Sequence, residues 1–416
     1  MRYKNKTKSI RIVFRLIVGL ATILFVLSLT NALNAEDVTS HKGRFWKIKR
    51  AKCGDTLENG RFELRKNLNC EEGPAITIDG PAKLNLNGHT ISGNGNNVCI
   101  QINEEGAKVW NGTVTNCTDG VVIAGTGRHQ VFRIISMYNN KTGFKVDSHD
   151  NWLTDNEAIG NSKENFLIEE ESDNNQLIKN KAVDGADKGY YVRGSNNRLY
   201  KNKAIGNLDD ALRINNGTDN IVIHNIFKDT ESEAGVKIDS KGNIVRKNFI
   251  KQNDRGIRIR SNDNEVIKNI IINNGKEGIR VELENDTELP SSNNTISSNI
   301  ISNNGQEGIR VEESSLNTIS SNIIKNNGFN ESKPEDIRDG LKLEEGANKN
   351  TLSKNLVFNN SRNGINVEAG AEDNDIFYNF VLGNETDLND ENGECVSNSW
   401  YKNFAKTGDP ECTLGQ

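Results

Sequence analysis

A short unit with alternating apolar and polar positions recurs along most of the chain. Its central phrase runs Gly, apolar, polar, apolar, as in Gly256, Ile257, Arg258 and Ile259, and most units follow the previous one after 21–24 residues. The alternation lasts three or four residues and is rich in β-branched side chains, which predicts short strands rather than helices. The phrase begins at Gly143, Asn165, Gly189, Ala211, Gly235, Gly256, Gly278, Gly308, Gly340 and Gly364.

Asparagines mark the bends between these predicted strands. Asn tolerates the left-handed backbone region and can hydrogen-bond within its own bend, so it suits a corner. A second asparagine follows the first after five residues in every unit, and a third follows five residues later in eight of the ten units. We therefore expect three short strands and three bends per unit. The first asparagines are Asn151, Asn175, Asn197, Asn220, Asn243, Asn264, Asn294, Asn317, Asn350 and Asn374.

The repeat predicts a stack of coils. One unit cannot bury its apolar positions alone, whereas stacking places every strand beside its counterpart in the next coil, about 4.8 Å away. The expected fold is one all-β domain with three long parallel sheets around a narrow aliphatic core. Equivalent asparagines would then form ladders in which each side-chain amide donates to the carbonyl of the next coil.

The glycine phrase and the asparagine ladder over residues 120–384 resemble the right-handed parallel β-helix repeat of pectate-lyase-like and carbohydrate-binding proteins, including the NosD-type group. Residues 53–93, with "CGDTLENGRFELRKNLNC" and "LNLNGHTISG", resemble the opening coils of exported members. The resemblance implies a single-stranded right-handed solenoid of about a dozen coils with disulfide-stapled ends. It leaves the activity open, because unrelated functions share this scaffold.

On this basis we expect a signal peptide over 1–35, a lead-in and cap over 36–72, the β-helix over 73–394 and a C-terminal disulfide cap over 395–416. The NosD-type resemblance also raises copper delivery. Soft copper sites use Met, Cys and His, whereas the exported part holds one methionine, Met137, and dispersed histidines. Copper binding is therefore not expected, no other metal or cofactor is indicated, and calcium has no recognisable motif.

The first 35 residues have the pattern of a secretory signal. Six basic residues precede or begin an apolar run over 16–29, and small residues follow it. The run is too short for a bilayer span, so a cleaved signal is favoured over an anchor, and no later segment is apolar enough to cross a membrane. Removing it changes the formal net charge from −5 to −11, which argues against general nucleic-acid binding. We expect a secreted, periplasmic or cell-surface monomer.

All six cysteines lie in the exported part. An even count in an exported chain predicts disulfides, although fifteen connectivities are formally possible. The short separations favour three local pairs. These pairs would be Cys53 with Cys70, Cys99 with Cys117, and Cys395 with Cys412.

The polar residue of each glycine phrase should point outward, because side chains alternate along a strand. Six consecutive coils present a cation there, and a second outward line two residues later is rich in carboxylates. One interpretation is two complementary ladders that pair across coils and keep the surface soluble. The six cations are Arg213, Lys237, Arg258, Arg280, Arg310 and Lys342.

A second interpretation makes this line a binding groove. Insertions over 283–292 and 328–339 would wall a floor made of Arg280, Arg310 and Lys342. Regularly spaced cations suit an extended anionic chain such as a uronate polysaccharide. The predicted function is therefore binding, and possible processing, of an acidic polysaccharide; the alternative is a non-catalytic structural or accessory scaffold.

Candidate catalytic residues follow from the chemistry that such a polymer would need. A lyase needs a base and a cation on the uronate carboxylate, roles open to Arg310 or Lys342, whereas a hydrolase or an epimerase needs carboxylates such as Glu282 and Glu312. Asp209 and Asp210 form another candidate pair, beside Arg213. Because neighbouring residues on a strand point to opposite faces, only one of that pair should face a substrate.

Overall fold

Short parallel strands stack over almost the whole of the described chain. The computed structural model describes residues 47–284, 289–329, 338–393 and 395–414, and the described residues from Ile48 onward belong to one compact unit. The predicted signal peptide lies outside the described residues. Within them, no helix is long and apolar enough to span a bilayer.

Each coil contributes up to three strands, which define three faces. The first face is a sheet of sixteen parallel strands. Its strands are Asp55–Leu57, Ile76–Ile78, Ile100–Ile102, Val121–Ile123, Phe144–Val146, Phe166–Ile168, Tyr190–Val192, Leu212–Ile214, Ala234–Ile238, Arg255–Ile259, Ile279–Val281, Ile309–Val311, Leu341–Leu343, Asn363–Val367, Thr386–Asp390 and Gly408–Asp409.

The second and third faces belong to one sheet of twenty-eight strands. The second face contains Lys49–Arg50, Arg61–Glu63, Lys83–Asn85, Trp152–Thr154, Gln176–Ile178, Arg198–Tyr200, Ile221–Ile223, Ile244–Arg246, Glu265–Ile267, Thr295–Ser297, Thr318–Ser320, Thr351–Ser353, Asp375–Phe377 and Ser399–Tyr401. The third contains Leu68–Asn69, Thr90–Ser92, Glu157–Ile159, Lys181–Val183, Lys203–Ile205, Ile226–Lys228, Phe249–Lys251, Ile270–Ile272, Ile300–Ser302, Ile323–Lys325, Leu356–Phe358 and Phe380–Leu382.

Two long strands join these two faces. Lys108–Thr115 and Gln130–Met137 each run through the bend that separates the second face from the third in later coils. Gln130–Met137 pairs with Trp152–Thr154 at one end and with Glu157–Ile159 at the other. The prediction of three faces is confirmed, but they form two sheets rather than three. Each of the two long strands continues through the position at which later coils have a gap between a second-face strand and a third-face strand, and this joins the two faces into one sheet.

The stack is longer than expected. Sixteen strands on the first face exceed the predicted dozen coils. Asp55–Leu57 already pairs with Ile76–Ile78, and Thr386–Asp390 pairs with Gly408–Asp409, so parallel coils extend into the regions expected to be caps. The asparagine ladders extend into the last coil as well, where Asn398 and Asn403 keep the spacing of five and accept hydrogen bonds from Asn374 and Asn379. A short 3₁₀ helix, Glu411–Leu414, follows the last strand.

The asparagine ladders are confirmed. The backbone N–H and Nδ2 of Asn156 donate to Oδ1 of Asn180 at 2.9 and 3.0 Å, and Nδ2 of Asn180 donates to the Leu153 carbonyl at 2.8 Å. The expected backbone conformation was assigned to the wrong residue, however. The left-handed residue is the one before the asparagine, such as Asp155 or Lys179 with φ of 54° and 56°. That residue makes the bend, and the asparagine that follows points into the core.

The phrase glycine is needed because of close contacts inside the coil. A Cβ on Gly278 would lie 2.5 Å from Cγ2 of Ile301 and 2.6 Å from the carbonyl oxygen of Gly308. These distances are shorter than any ordinary contact with a carbon atom. The glycine therefore lets the backbone of one coil approach the core and the next coil closely.

Stacked apolar side chains fill the core. Ile257, Ile279 and Ile309 occupy equivalent positions in successive coils and are fully buried. Each buried side chain of this size contributes about 1.5–3 kcal/mol to folding. All three predicted disulfides are present, and they link Cys53 to Cys70, Cys99 to Cys117, and Cys395 to Cys412.

Candidate functional site

The six predicted cations lie in one line on the outer side of the first face. Strand register places each beside its counterpart in the next coil, from the Arg213–Lys237 pair to the Arg310–Lys342 pair. We call this line the cation column. Its side chains alternate with buried apolar neighbours, as in Ile279–Val281, so the predicted outward orientation is confirmed.

Carboxylates two residues further along the strands pair with this column. Nε of Arg213 lies 2.8 Å from Asp239. Arg280 contacts carboxylates of its own and the next coil, with Nε 2.7 Å from Glu282 and Nη2 2.5 Å from Glu312. These ion pairs are the cross-coil pairing expected from complementary ladders, and they offset the repulsion between stacked cations.

The column continues in the same way towards the C-terminus. Nη2 of Arg310 lies 2.8 Å from Glu344. Nζ of Lys342 lies 3.2 Å from Glu344 and 2.7 Å from Glu368. Lys237 differs, since it ion-pairs with none of the described carboxylates.

Burial divides the column into two classes. The arginines keep between 17% and 20% of their side-chain surface exposed, whereas Lys342 keeps 1%. Lys237 is also buried. The arginine side chains reach the surface, whereas the Lys342 side chain lies below it, between Glu344 and Glu368. The expectation that Lys342 forms part of a groove floor is therefore not met in this conformation.

A row of buried acids lies behind the column, directly before the glycine phrase of four coils. Sequence reasoning identified only Asp210 of this row and missed Glu277, Glu307 and Asp339. All four are almost completely buried. The available signal was their identical place, one residue before Ala211, Gly278, Gly308 and Gly340. We call these four residues the buried acid row.

Neighbouring members of the row have opposite electrostatic environments. Glu277 contacts three arginines: Arg255 at 2.8 Å, Arg280 at 3.3 Å and Arg310 at 3.8 Å. Burial alone would raise the pKa of Glu277, but these guanidinium groups hold it below its usual value.

Glu307 occupies the equivalent place one coil later without such partners. Neither of its carboxylate oxygens has a hydrogen-bond partner among the described residues. Burial raises the pKa of Glu307 to about 8, although the charge of Arg310 opposes the shift. At neutral pH this carboxyl therefore retains its proton in most molecules.

Asp209 and Asp210 have separate environments, as the alternation predicted. Oδ2 of Asp209 lies 2.7 Å from Nζ of Lys188. Asp210 is fully buried, and its Oδ1 accepts a hydrogen bond from the Ala234 N–H at 3.0 Å. Burial, reinforced by the charge of Asp209, raises the pKa of Asp210 to about 7. A polymer on the surface could reach Asp209 but not Asp210.

Two open depressions lie beside the column rather than along its whole length. One, of about 320 Å³, is lined by Arg258, Arg280, Glu282 and Glu312 among others. A neighbouring depression of about 300 Å³ includes Asp239. The central parts of the two insertions that would wall a groove, residues 285–288 and 330–337, lie outside the described residues. The predicted walls therefore remain a prediction.

Comparison with known protein families gives two matches. The model described as periplasmic copper-binding protein (NosD) matches residues 58–242 and 186–332, which together span more than half of the chain. A model described as right-handed β-helix region matches residues 288–382. No curated protein matches significantly.

Several solved structures are similar. The A-module of the mannuronan C-5 epimerase AlgE6 from Azotobacter vinelandii has 16% identity and a TM-score of 0.37, covering 87% of this chain and 88% of that chain. The periplasmic alginate epimerase AlgG has 13% identity and a TM-score of 0.42, covering 83% of this chain and 78% of that chain. The Dettilon tailspike protein has 13% identity and a TM-score of 0.41, covering 86% of this chain and 61% of that chain. At these sequence identities and TM-scores, the structural similarities carry no argument about function.

The described residues do not fit a copper site. Within those ranges no group of three or more His, Cys, Asp or Glu side chains could hold a metal ion, and all six cysteines form disulfides. Both ring nitrogens of the buried His129 have partners, the Ala107 N–H at 3.1 Å and the Ala124 carbonyl at 2.9 Å. The soft ligands that copper prefers are therefore dispersed or already engaged.

Proposed function

The chain belongs to the NosD family of periplasmic copper-binding proteins, and from that premise and the charges of its first face we propose that it is an exported protein that binds an acidic polysaccharide along the arginines of the cation column. Export is supported by the signal-like first 35 residues and by three disulfides, which persist in oxidising compartments.

One observation supports the ligand class: successive coils place Arg258, Arg280 and Arg310 side by side, in register, on the first face. Arginine binds carboxylates through paired hydrogen bonds. Its outward partners Glu312 and Glu344 keep 27% and 13% of their side chains exposed, and partly exposed pairs of this kind contribute about 0–1 kcal/mol each. The buried Glu277 is a separate partner of Arg280 and Arg310. A polymer with many carboxylates could exchange several of these weak pairs at once, because linked contacts add without a new association cost.

Processing of the bound polymer would need an acid–base group at the surface. Of the proposed catalytic residues, Glu312 is the carboxylate best placed for this role, with 27% of its side chain exposed. It lies beside Arg280 and Arg310, which could neutralise a uronate carboxylate. Asp210 and Lys342 are too deeply buried to contact a polymer.

A non-catalytic scaffold is the second candidate. The observation that favours it is the neutralisation of the column, in which each arginine already contacts at least one carboxylate. In that case the ladders contribute to stability and solubility only, and no glycan would be retained.

Affinity electrophoresis through gels containing polyuronates or neutral glucans separates these two functions. We expect polyuronate to retard the mature protein and added salt to weaken that retardation. Arg280→Lys with Arg310→Lys keeps the charge that Glu277 needs but loses the paired geometry, so retardation should fall severalfold. Lys145→Gln is the matched control, since Lys145 lies on the same face and pairs with Glu169.

Absence of retardation by any acidic glycan would exclude the proposed function. Equal retardation of the double variant and the wild type would move the site away from the cation column. Incubation with the same polymers, followed by analysis of chain length, unsaturated ends and sugar epimers, reports processing. Loss of any such activity in Glu312→Gln, with binding retained, would assign the acid–base role.

A further inference from the structure

A second cluster of cations and aromatic rings lies on the second face, near the N-terminal end of the stack. Arg61, Lys83 and Lys108 occupy equivalent outward positions in three successive coils. Trp110 and Phe132 lie beside them, also one coil apart. A depression of about 380 Å³ is lined by all five of these side chains together with Phe62.

The cations of this cluster differ from those of the cation column in their ion pairing. Among the described residues, none of Arg61, Lys83 and Lys108 forms an ion pair, whereas every arginine of the cation column does. Arg61 and Lys83 are exposed, and Lys108 is half-buried. Glu63 also lines the depression but pairs with Arg65 at 3.1 Å. The three cations, about one coil spacing apart, therefore give the depression a net positive charge.

One face of the Trp110 indole has no aromatic neighbour in the adjacent coil. Trp110 and Phe132 are stacked with ring centroids 5.8 Å apart and an interplanar angle of 4°, so Phe132 covers one face of the indole. The coil on the other side carries Asn85 at the paired position, and Asn85 has no ring to cover the second face. Both Asn85 and Trp110 line the depression, so the second face borders open space.

Lys108 is held at the junction between the rings and the cations. Its Nζ lies 5.9 Å from the ring centroid of Trp110 and 5.1 Å from that of Phe132. A cation in this position keeps its charge close to any group that stacks on the indole. The arrangement combines an apolar platform with a few placed charges, which is the usual construction of a small-molecule site.

We propose that these first coils form a second, separate binding site for an acidic sugar: a pyranose ring packs on the open face of Trp110 while its carboxylate or sulfate binds Lys83, Lys108 and Arg61. Aromatic rings supply a large rigid apolar surface, and the cations supply charge-assisted hydrogen bonds. The site shares the ligand class of the proposed function but none of its residues. A long polymer could therefore be held at two places.

Isothermal titration of the mature protein with a short probe tests this site. The probes are a galacturonate trimer, a neutral maltotriose, inorganic sulfate and adenosine monophosphate. We expect the galacturonate trimer to bind most tightly. Trp110→Ala should weaken its binding at least tenfold, and Lys83→Gln with Lys108→Gln at least fivefold with a smaller salt dependence.

Matched controls exist on the same face. Tyr200 lies in the same outward column as Trp110, four coils further on, and also carries a cation over its ring, with Arg198 4.8 Å from its centroid. Tyr200→Ala and Lys201→Gln should leave trimer binding unchanged. The Arg280→Lys and Arg310→Lys double variant should also retain binding here, which separates this proposal from the cation column.

Several results would overturn the proposal. They are absence of trimer binding by the wild type, unchanged binding by Trp110→Ala, and equal loss in Tyr200→Ala. Binding of sulfate as tight as that of the trimer would reduce the site to a simple anion site. Tighter binding of adenosine monophosphate than of the trimer, lost in Trp110→Ala, would assign the site to aromatic anions instead of sugars.

Discussion

Glu277 and Glu307 occupy the same position in adjacent coils, yet removing their charges should change stability in opposite directions. Glu307 has no hydrogen-bond partner for either oxygen among the described residues, and its pKa is raised from 4.5 to about 8. Glu277 contacts three arginines, and its pKa is lowered. The perturbation is Glu307→Gln, with Glu277→Gln as the matched comparison.

The sign for Glu307 follows from proton linkage. Between about pH 4.5 and pH 8 the unfolded chain has released the Glu307 proton while the folded chain retains it. The folded state then binds more protons, so the free energy of unfolding falls as the pH rises, by about 1.4 kcal/mol per pH unit. Over pH 5 to pH 8 this single group lowers stability by about 4 kcal/mol. Glu307→Gln removes that slope.

Urea unfolding followed by circular dichroism, at pH 5, 6, 7 and 8, measures this difference. The stability gained by Glu307→Gln relative to the wild type should grow steadily with pH. Glu277→Gln should instead destabilise at neutral pH by about 3 kcal/mol, because the largely buried guanidinium of Arg255 loses its ion-pair partner and those of Arg280 and Arg310 each lose one of theirs. Parallel pH curves for wild type and Glu307→Gln, or stabilisation by Glu277→Gln, would refute the reasoning about the buried acid row.

Other perturbations test the packing of the coils. Asn269→Ala removes the acceptor of two hydrogen bonds from the preceding coil and one donor to it, so it should lower the free energy of unfolding by about 3 kcal/mol. Glu265→Ala, at an exposed position of the preceding strand Glu265–Ile267, should change it by less than about 0.5 kcal/mol. Gly278→Ala places a Cβ 2.5 Å from Ile301, so a loss of about 1–3 kcal/mol in the same unfolding assay is expected. An unchanged free energy of unfolding in Asn269→Ala would contradict the role of the asparagine ladder, and an unchanged value in Gly278→Ala would contradict the close approach of the coils.

Periodic features of the molecule were accessible from the sequence. The phrase around Gly256, the asparagines five residues apart and the local cysteine pairs all depend on short-range spacing, and the structure confirms each. The outward line of cations also followed from alternation, as did its pairing with carboxylates. Such features need only the repeat length and the two-residue period of a strand.

Features that depend on several coils at once were less accessible. Lys108–Thr115 runs through a bend in a coil that precedes the aligned units, and its signature is slight: Gly112 and Ile134 stand where later coils have the second asparagine. Burial of Lys342 depends on how far two glutamates from different coils reach around it. Glu277 and Glu307 share one sequence position, and only their neighbours in three dimensions give them opposite pKa shifts.

The most direct test of the proposed function is the heat of binding between the mature protein and a long polyuronate, measured at low and at high salt. We expect binding that weakens as salt increases, and that weakens further when Arg280 and Arg310 are replaced by lysine. A neutral polysaccharide that binds equally well, or a polyuronate that gives no binding heat at low salt, would contradict this expectation.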